Sequence, residues 1–249
     1  MRPVSHRLIT IPFSHYCEKA RWALDWCRVP YVEEGHLPML HWGPTRRAGG
    51  GRTVPVLVTA SDGVLADSTD ILRWADARAA EGRGLYPTEE ALAIEERLDD
   101  ELGPHARRAG YYYTLDDKTA IAAIAGGRVP AWELWAMRLA RPLAVASMRR
   151  GMRIDAEGLR RSLTKVDASF AAMDALLSDG RRWLAGDRPS AADLTFAALA
   201  APLLCPPEHP VPLPVDGWAP AFHALRDRLR ATRAGQHALR TYAEQRHTR

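Results

Sequence analysis

The sequence predicts a small α/β domain with a mixed sheet, followed by an all-helical domain. In the first eighty residues, short β-branched runs alternate with helical patterns, whereas helical periodicity alone continues after the breaker cluster at residues 82–87. The chain has 249 residues and is 47% apolar, which is enough for two domains that each bury a core. We therefore expect one domain over residues 1–84 and a second over residues 85–249.

The first domain is predicted to follow a strand, helix, strand, hairpin, helix order. Short apolar runs predict four strands, at residues 7–11, 29–33, 54–58 and 64–66. The helix between the first two strands begins at Ser14 and has one apolar face, formed by Cys17, Ala20, Leu24 and Cys27. A second helix is expected over residues 68–80. This order gives a sheet with both parallel and antiparallel strands.

The second domain contains only helical signals. Thr88 begins a long helix that reaches towards Tyr113, Pro130 begins another, and a third amphipathic face runs over residues 159–177. Ser190 and Asp193 form a capping-box pattern, in which each side chain accepts a hydrogen bond from the other residue's backbone N–H. The helix that follows is apolar almost all round, so we expect it at the buried centre of the bundle.

Composition excludes several classes of function. The net charge of +4 comes from 34 basic and 30 acidic residues, and the arginines are scattered rather than clustered, which disfavours nucleic-acid binding. Three cysteines without a paired spacing predict neither a disulfide framework nor a metal site. No apolar run approaches the roughly 20 residues of a membrane span, and the N-terminus lacks a signal-peptide core, so we expect a cytoplasmic protein with no membrane partner.

A candidate site lies at the start of the first helix. Ser14 follows the first strand, so free backbone N–H groups and the positive end of the helix dipole favour an anion there. The alternative is that Ser14 only caps the helix.

Four segments at consistent spacing resemble the glutathione transferase family. They are IPFSHYCEKARWAL at residues 11–24, TVPVL at 53–57, DSTDIL at 67–72 and SAAD at 190–193. The resemblance implies a thioredoxin-like N-terminal domain, a helical C-terminal domain, glutathione as co-substrate without a metal, and a homodimer. Residues 103–155 carry no clear motif and form a longer segment than is usual in the family.

The resemblance also implies roles for particular residues. The Ser14 hydroxyl would donate to the glutathione sulfur. Pro55 would follow a cis peptide bond and expose the backbone of Val54 to an extended peptide, although an isolated X-Pro bond is usually trans. Asp67 and Ser68 would hold the ammonium and carboxylate of the γ-glutamyl group, and capping of the second helix is compatible with that role.

Three neighbouring features leave alternatives open. Cys17 lies on the apolar stripe, so we interpret it as a packed thiol rather than a nucleophile, and Ser14 in place of a first cysteine excludes a dithiol cycle. His15 is expected to be an exposed first-turn residue, with a general-base role as the weaker alternative. A cation for the glycine carboxylate of glutathione could come from the loop at residues 36–52, which is otherwise a solvated loop, and its candidates include His41, Arg46 and Arg47.

The second substrate should lie between the domains. Three adjacent tyrosines at 111–113 cannot all face one core, and we assign Tyr112 and Tyr113 to a pocket for an apolar electrophile, with a dimer interface as the alternative. Trp132 and Trp135 lie on one helical face, which indicates core more often than pocket.

The predicted activity is attack of the glutathione thiolate on that electrophile, giving a thioether, as in a detoxifying transferase. A glutathione-dependent isomerase or dehalogenase would use the same site. A non-catalytic binding or scaffold protein would keep the fold without activating the thiol. No motif identifies the electrophile.

Overall fold

The N-terminal half folds into a four-stranded mixed sheet. A computed structural model describes residues 6–211 and 217–247, with all their side chains except those of residues 121 and 122. The sheet has the order β2-β1-β3-β4, in which β1 is parallel to β2, and β3 is antiparallel to both β1 and β4. The strands span β1 His6–Thr10, β2 Tyr31–Gly35, β3 Val56–Val58 and β4 Val64–Leu65; the helices of this half are α1 His15–Trp26, α2 Trp42–Arg47 and α3 Ser68–Asp76.

Helix α1 joins the sheet to the rest of the molecule. Its predicted stripe is buried as expected, at Cys17, Ala20, Leu24 and Cys27. Helix α1 is buried on several sides because it contacts α3 within the same half and α9 of the helical half. The start of α1 is thereby held against the second half of the chain.

The second half is helical, as predicted. The expected single helix from Thr88 to Tyr113 is instead two helices, because Pro104 lacks the N–H that a continuous helix would need and the helix restarts at Gly103. The helices are α4 Glu89–Glu101, α5 Gly103–Thr114, α6 Ala120–Ala125, α7 Ala131–Met152, α8 Ala156–Leu176, α9 Ala191–Leu204, α10 Pro220–Arg230 and α11 Arg233–Gln245. The domain boundary between residues 84 and 85 stays a prediction.

Helix α9 is the buried centre of this half, which confirms the prediction from its composition. Nearly every side chain of α9 is inaccessible to solvent. The capping box between Ser190 and Asp193 is present, and the Asp193 carboxylate also accepts hydrogen bonds from the Leu184 N–H and from His237. The described part of the chain contains no helix long and apolar enough to cross a membrane.

Helices α6 and α7 form a cover, residues 120–152, that lies against the N-terminal half. The buried Glu133 of α7 accepts hydrogen bonds from His36 Nδ1 at 2.5 Å and from the Leu37 N–H at 2.7 Å. A small apolar cluster, separate from the main core, completes this contact and includes Leu37, Ala125, Met137 and Ala144. The long segment that had no motif therefore reaches back to the sheet domain.

The outer face of α7 corrects one expectation. Trp132 and Trp135 are 60% and 66% exposed, so they belong neither to the core nor to a pocket. The inner face of the same helix is occupied by Glu133 and Met137, and a helix that packs through one face leaves the opposite face to solvent.

Candidate functional site

Two joined cavities lie between the sheet domain and the helices. The first has a volume of about 320 Å³ and the second about 550 Å³. Both are lined by Tyr16, Thr53, Val54 and Arg107, so they form one continuous cleft. Ser14 lies in the first cavity, whereas Pro55, Asp67 and Ser68 lie in the second. The structure thus brings five of the predicted site residues into one cleft.

Ser14 caps α1 and faces the first cavity. Its Oγ accepts a long hydrogen bond of 3.4 Å from the Cys17 N–H. The Ser14 hydroxyl also has a hydrogen to donate, which lies within reach of the Cys17 thiol and can rotate towards a ligand. The capping role and a donor role towards a ligand are therefore compatible at Ser14, because they use different parts of the hydroxyl.

The residues that flank Ser14 on α1 do not offer a second reactive group. Burial raises the pKa of the Cys17 thiol to about 11, in agreement with a packed thiol. His15 was expected to be exposed, but it is buried. Its ring packs towards the α4–α5 junction, where its Nε2–H donates to the Gly103 carbonyl at 2.9 Å. Burial, reinforced by the Arg107 charge, lowers the pKa of His15 to about 3. A ring nitrogen this weakly basic is a poor general base at neutral pH.

Gly103 allows the start of α1 to approach the α4–α5 junction. A Cβ at this position would lie 2.1 Å from the Tyr16 hydroxyl oxygen, so the Tyr16 ring would have to shift. The Tyr16 hydroxyl instead passes this point and donates to the Asp99 carbonyl at 2.8 Å. The absence of a side chain at residue 103 therefore leaves room for the Tyr16 ring, which lines both cavities.

The Val54–Pro55 segment has the conformation that the resemblance implies. The peptide bond between Val54 and Pro55 is cis. Neither the N–H nor the C=O of Val54 has a hydrogen-bond partner in the residues that the structure describes. An extended peptide in the cleft could pair with these groups as an added strand.

Asp67 and Ser68 begin helix α3 beside that segment. The Asp67 carboxylate accepts from the Thr69 N–H at 2.8 Å and so caps the helix while it remains exposed. Ser68 is 4% exposed and lines the second cavity, and its hydroxyl has no hydrogen-bond partner over residues 6–211 and 217–247. A carboxylate and a free hydroxyl at a helix N-terminus suit a zwitterionic amino-acid group.

A buried ionic cluster anchors this end of α3. The fully buried Lys19 ammonium contacts Glu95 and Asp99, at 2.5 Å from the latter. The Thr69 hydroxyl donates to the same two carboxylates, at 2.7 and 2.9 Å. Burial raises the pKa of Asp99 although Lys19 opposes the shift. Helices α1, α3 and α4 are thereby held together beneath the second cavity.

The wall of the first cavity is mostly apolar and comes from several helices. Of the three adjacent tyrosines, Tyr111 lines the cavity. Tyr112 and Tyr113 do not; their rings contact each other, and Tyr113 packs against Phe222 in the main core. The sequence did not predict several apolar residues of the wall, among them Ile124, Met148 and Met152 from the cover and Trp218, which precedes α10.

Residues 36–52 were expected to form a loop but contain α2, and of the arginines in this segment Arg52 reaches the cleft. Its guanidinium lies over the Trp42 ring, 5.2 Å from the centroid, and both residues line the first cavity with His41. His41 is buried, and burial lowers its pKa, so this ring is neutral at pH 7. Arg46 and Arg47 line neither cavity.

Metal ligands do not converge in this cleft. Over the described residues, no three His, Cys, Asp or Glu side chains lie together in a way that could hold a metal ion. The polar groups that line the cleft are hydroxyls, backbone amides, arginines and, in the second cavity, several carboxylates. These groups bind polar and anionic parts of an organic ligand.

Comparison with solved structures shows the same architecture. A glutathione S-transferase from Methylobacterium radiotolerans, in complex with glutathione sulfonate, is 20% identical, with 94% of each chain covered and a TM-score of 0.54. The beta-etherase LigF from Sphingobium sp. strain SYK-6 is 18% identical over 95% of this chain and 99% of its own, with a TM-score of 0.58. Glutathione transferase GSTFuA3 from Phanerochaete chrysosporium is 15% identical over 96% of each chain, with a TM-score of 0.60.

Family comparison is more specific than these structural likenesses. The comparison with curated proteins gives no significant match. The model of the glutathione S-transferase N-terminal domain matches residues 8–83, and that of the C-terminal domain matches residues 156–231. The two matches together span more than half of the sequence, in the order that the fold shows. The chain therefore belongs to the glutathione S-transferase family.

Proposed function

We propose that this protein is a glutathione transferase that joins the glutathione thiolate to an apolar electrophile, with Ser14 as its catalytic residue. The observation that carries the proposal is the Ser14 hydroxyl, which lines the first cavity from the N-terminus of α1. A thiolate placed there would accept the hydroxyl hydrogen and interact favourably with the positive helix end.

The energies of these interactions are sufficient. A free thiol of pKa about 8.5 is ionised by only ~3% at pH 7, and lowering that pKa by two units requires about 2.7 kcal/mol. A helix N-terminus contributes roughly 0.3–1 kcal/mol and a charge-assisted hydrogen bond about 1.5–3 kcal/mol. Neither effect is comfortably large enough alone, so loss of the Ser14 hydroxyl should return most of the thiol to its protonated form.

The cleft offers partners for the charged groups and for part of the backbone of the tripeptide. Val54 would pair with the peptide backbone, and Ser68 with the first N–H groups of α3 would bind the γ-glutamyl carboxylate, whereas Asp67 would bind the ammonium. For the glycine carboxylate we favour Arg52, because it is the arginine of residues 36–52 that lines the cleft. Structural neighbours solved with glutathione or glutathione sulfonate support this assignment of the co-substrate.

The test follows thiolate absorbance near 240 nm while pH is varied with glutathione bound. Wild type should lower the thiol pKa by one unit or more, and Ser14→Ala should restore it. Ser61→Ala, in an exposed turn outside both cavities, is the matched control and should behave as wild type. Saturable binding with an unshifted thiol in wild type would favour a binding or scaffold protein, and absence of binding would remove glutathione as the co-substrate.

Product analysis then separates two reaction types. Conjugation consumes glutathione and releases a thioether, whereas isomerase or dehalogenase chemistry returns it. Ser14 stabilises the attacking thiolate in either case, so the pH titration alone does not distinguish them.

Assembly and location belong to the same proposal. The resemblance to the family favours a homodimer, for which light scattering should give twice the chain mass of 27.6 kDa. A cytoplasmic location stays a prediction and is tested by cell fractionation.

A further inference from the structure

Arg107 lies where the two cavities meet and is half-buried there. Its side chain forms no hydrogen bond or ion pair with any residue in the described ranges, even though several carboxylates line the second cavity. The adjacent Arg108 is different, since it bonds to the Met152 carbonyl and to the Ser162 hydroxyl. A half-buried guanidinium without a partner in the described residues is available to bind a negatively charged ligand.

Tyr111 extends the same feature by one helical turn. Residues 107 and 111 are four apart on α5, so their side chains share one face, and both line the first cavity. The Tyr111 hydroxyl likewise has no partner in the part of the chain that the structure describes. Burial raises the pKa of Tyr111, which keeps this hydroxyl protonated as a donor. The two residues therefore form a donor pair in the cavity wall.

The electrostatics of the first cavity favour a negative group. No acidic side chain is present among the described residues that line it, whereas Arg52 and Arg107 are both cationic. The histidines at 15, 41 and 209 have their pKa values lowered by burial, so they add no charge at pH 7. The other lining groups are mainly apolar, including Met148, Met152 and Trp218.

We propose that Arg107 and Tyr111 bind a carboxylate on the second substrate, so that the preferred electrophile has an apolar body and one anionic group. This inference rests on the proposed function, in which glutathione uses Arg52, Ser68 and Ser14 for its own anionic groups and leaves Arg107 unused. A guanidinium can bind a carboxylate through two parallel hydrogen bonds, and the phenol hydroxyl supplies a third donor.

A matched pair of electrophiles tests this substrate class. The probes are 4-(chloromethyl)benzoate and its methyl ester. In each case the thiolate forms a C–S bond at the benzylic carbon, the C–Cl bond breaks, chloride leaves with the electron pair, and the thiol proton passes to solvent. Comparison of wild type with variant on each probe removes the difference in intrinsic reactivity between acid and ester.

Arg107→Met should lower kcat/KM for the acid by about 10- to 100-fold and for the ester by less than about threefold. Tyr111→Phe should produce a smaller loss, again confined to the acid, and Arg107→Lys should restore part of the activity of Arg107→Met. Arg97→Met, an exposed arginine on α4 outside both cavities, is the control and should change neither probe. Equal losses on acid and ester would overturn the proposal.

Equilibrium binding distinguishes this inference from the proposed function. Calorimetry should show S-(4-carboxybenzyl)glutathione binding about 10-fold or more tighter than its methyl ester, with the preference lost in Arg107→Met and the Kd for glutathione alone unchanged. Absence of turnover with this preference intact would contradict the transferase proposal but support the anion site. A weakened Kd for glutathione itself would assign Arg107 to the tripeptide and overturn the inference.

Discussion

Glu133 should control how firmly the cover of α6 and α7 is held against the sheet domain. Its carboxylate is fully buried and accepts from His36 and from the Leu37 N–H, at 2.5 and 2.7 Å. In Glu133→Gln the neutral amide can still offer one oxygen as an acceptor. The hydrogen bond from His36 Nδ1 to the charged carboxylate of residue 133 is lost. Hydrogen bonds to charged groups contribute about 1.5–3 kcal/mol, so we expect a cost of about 2 kcal/mol.

This cost should be confined to the cover because its apolar contacts form a cluster separate from the main core. Local opening of α7 would then become easier while α9 is unaffected. A change of about 2 kcal/mol corresponds to ~30-fold faster amide exchange wherever the exchange proceeds through that opening.

Hydrogen–deuterium exchange with peptide-level mass spectrometry measures both helices in one experiment. Peptides from α7 should exchange ~30-fold faster in Glu133→Gln, and peptides from α9 should match wild type. Glu157→Gln is the control, because over residues 6–211 and 217–247 this exposed carboxylate pairs only with Arg161, and such pairs contribute less than about 1 kcal/mol. An equal rise in both helices, or none in α7, would refute the cover as a separately held unit.

Three further outcomes are expected. Burial acts to raise the pKa of Glu18, but the charges of Arg246 and Arg21 outweigh burial and hold that pKa at about 2. The ionised Glu18 therefore adds about 3 kcal/mol to the free energy of unfolding, which should be lost as the pH falls from 4.5 towards 2. In urea titrations, the stability of Glu18→Gln should depend less on pH over this range than that of wild type. Asp193→Ala should lower the free energy of unfolding in urea by about 3–5 kcal/mol. The reason is that the backbone N–H groups of Ser190 and Leu184 and the His237 ring would lose their hydrogen-bond acceptor. Alkylation of the native protein at pH 7.5 should be slow, because burial raises the thiol pKa to about 11 or 12 at Cys17, Cys27 and Cys205.

A specific result would contradict each of these three predictions. If the free energy of unfolding of Glu18→Gln falls with pH below 4.5 as steeply as that of wild type, Glu18 is not the cause of the pH dependence. A loss under about 1 kcal/mol for Asp193→Ala would mean that its partners find water instead. Rapid alkylation without urea would show that a thiol is accessible in the native state.

Local patterns predicted most of the elements because their causes lie within a few residues. The stripe on α1, the caps at Ser14 and Asp67, and the box from Ser190 to Asp193 depend on contacts three or four positions apart. The break at Pro104 was missed although the residue responsible is visible in the sequence, because the helical pattern on both sides suggested continuity.

Candidate residues at the start of a helix were easier to find than those in its middle. Ser14, Asp67 and Ser68 follow strands or turns, and the fold brings such positions to one edge of the sheet. A residue such as Arg107 in mid-helix carries no such signal, since its role depends on what faces it. Only the cleft reveals that its charge has no partner among the described residues.

The sequence therefore predicted the order of the four strands, the mixed sheet, the helical second half and the family, because these depend on periodicity, caps and short motifs. Tertiary structure alone decided that Tyr111 rather than its two neighbours lines the cavity, that His15 is buried against Gly103, and that Trp132 faces solvent. The physical reason is that periodicity shows which residues share a face, but the element packed against that face comes from a distant part of the chain.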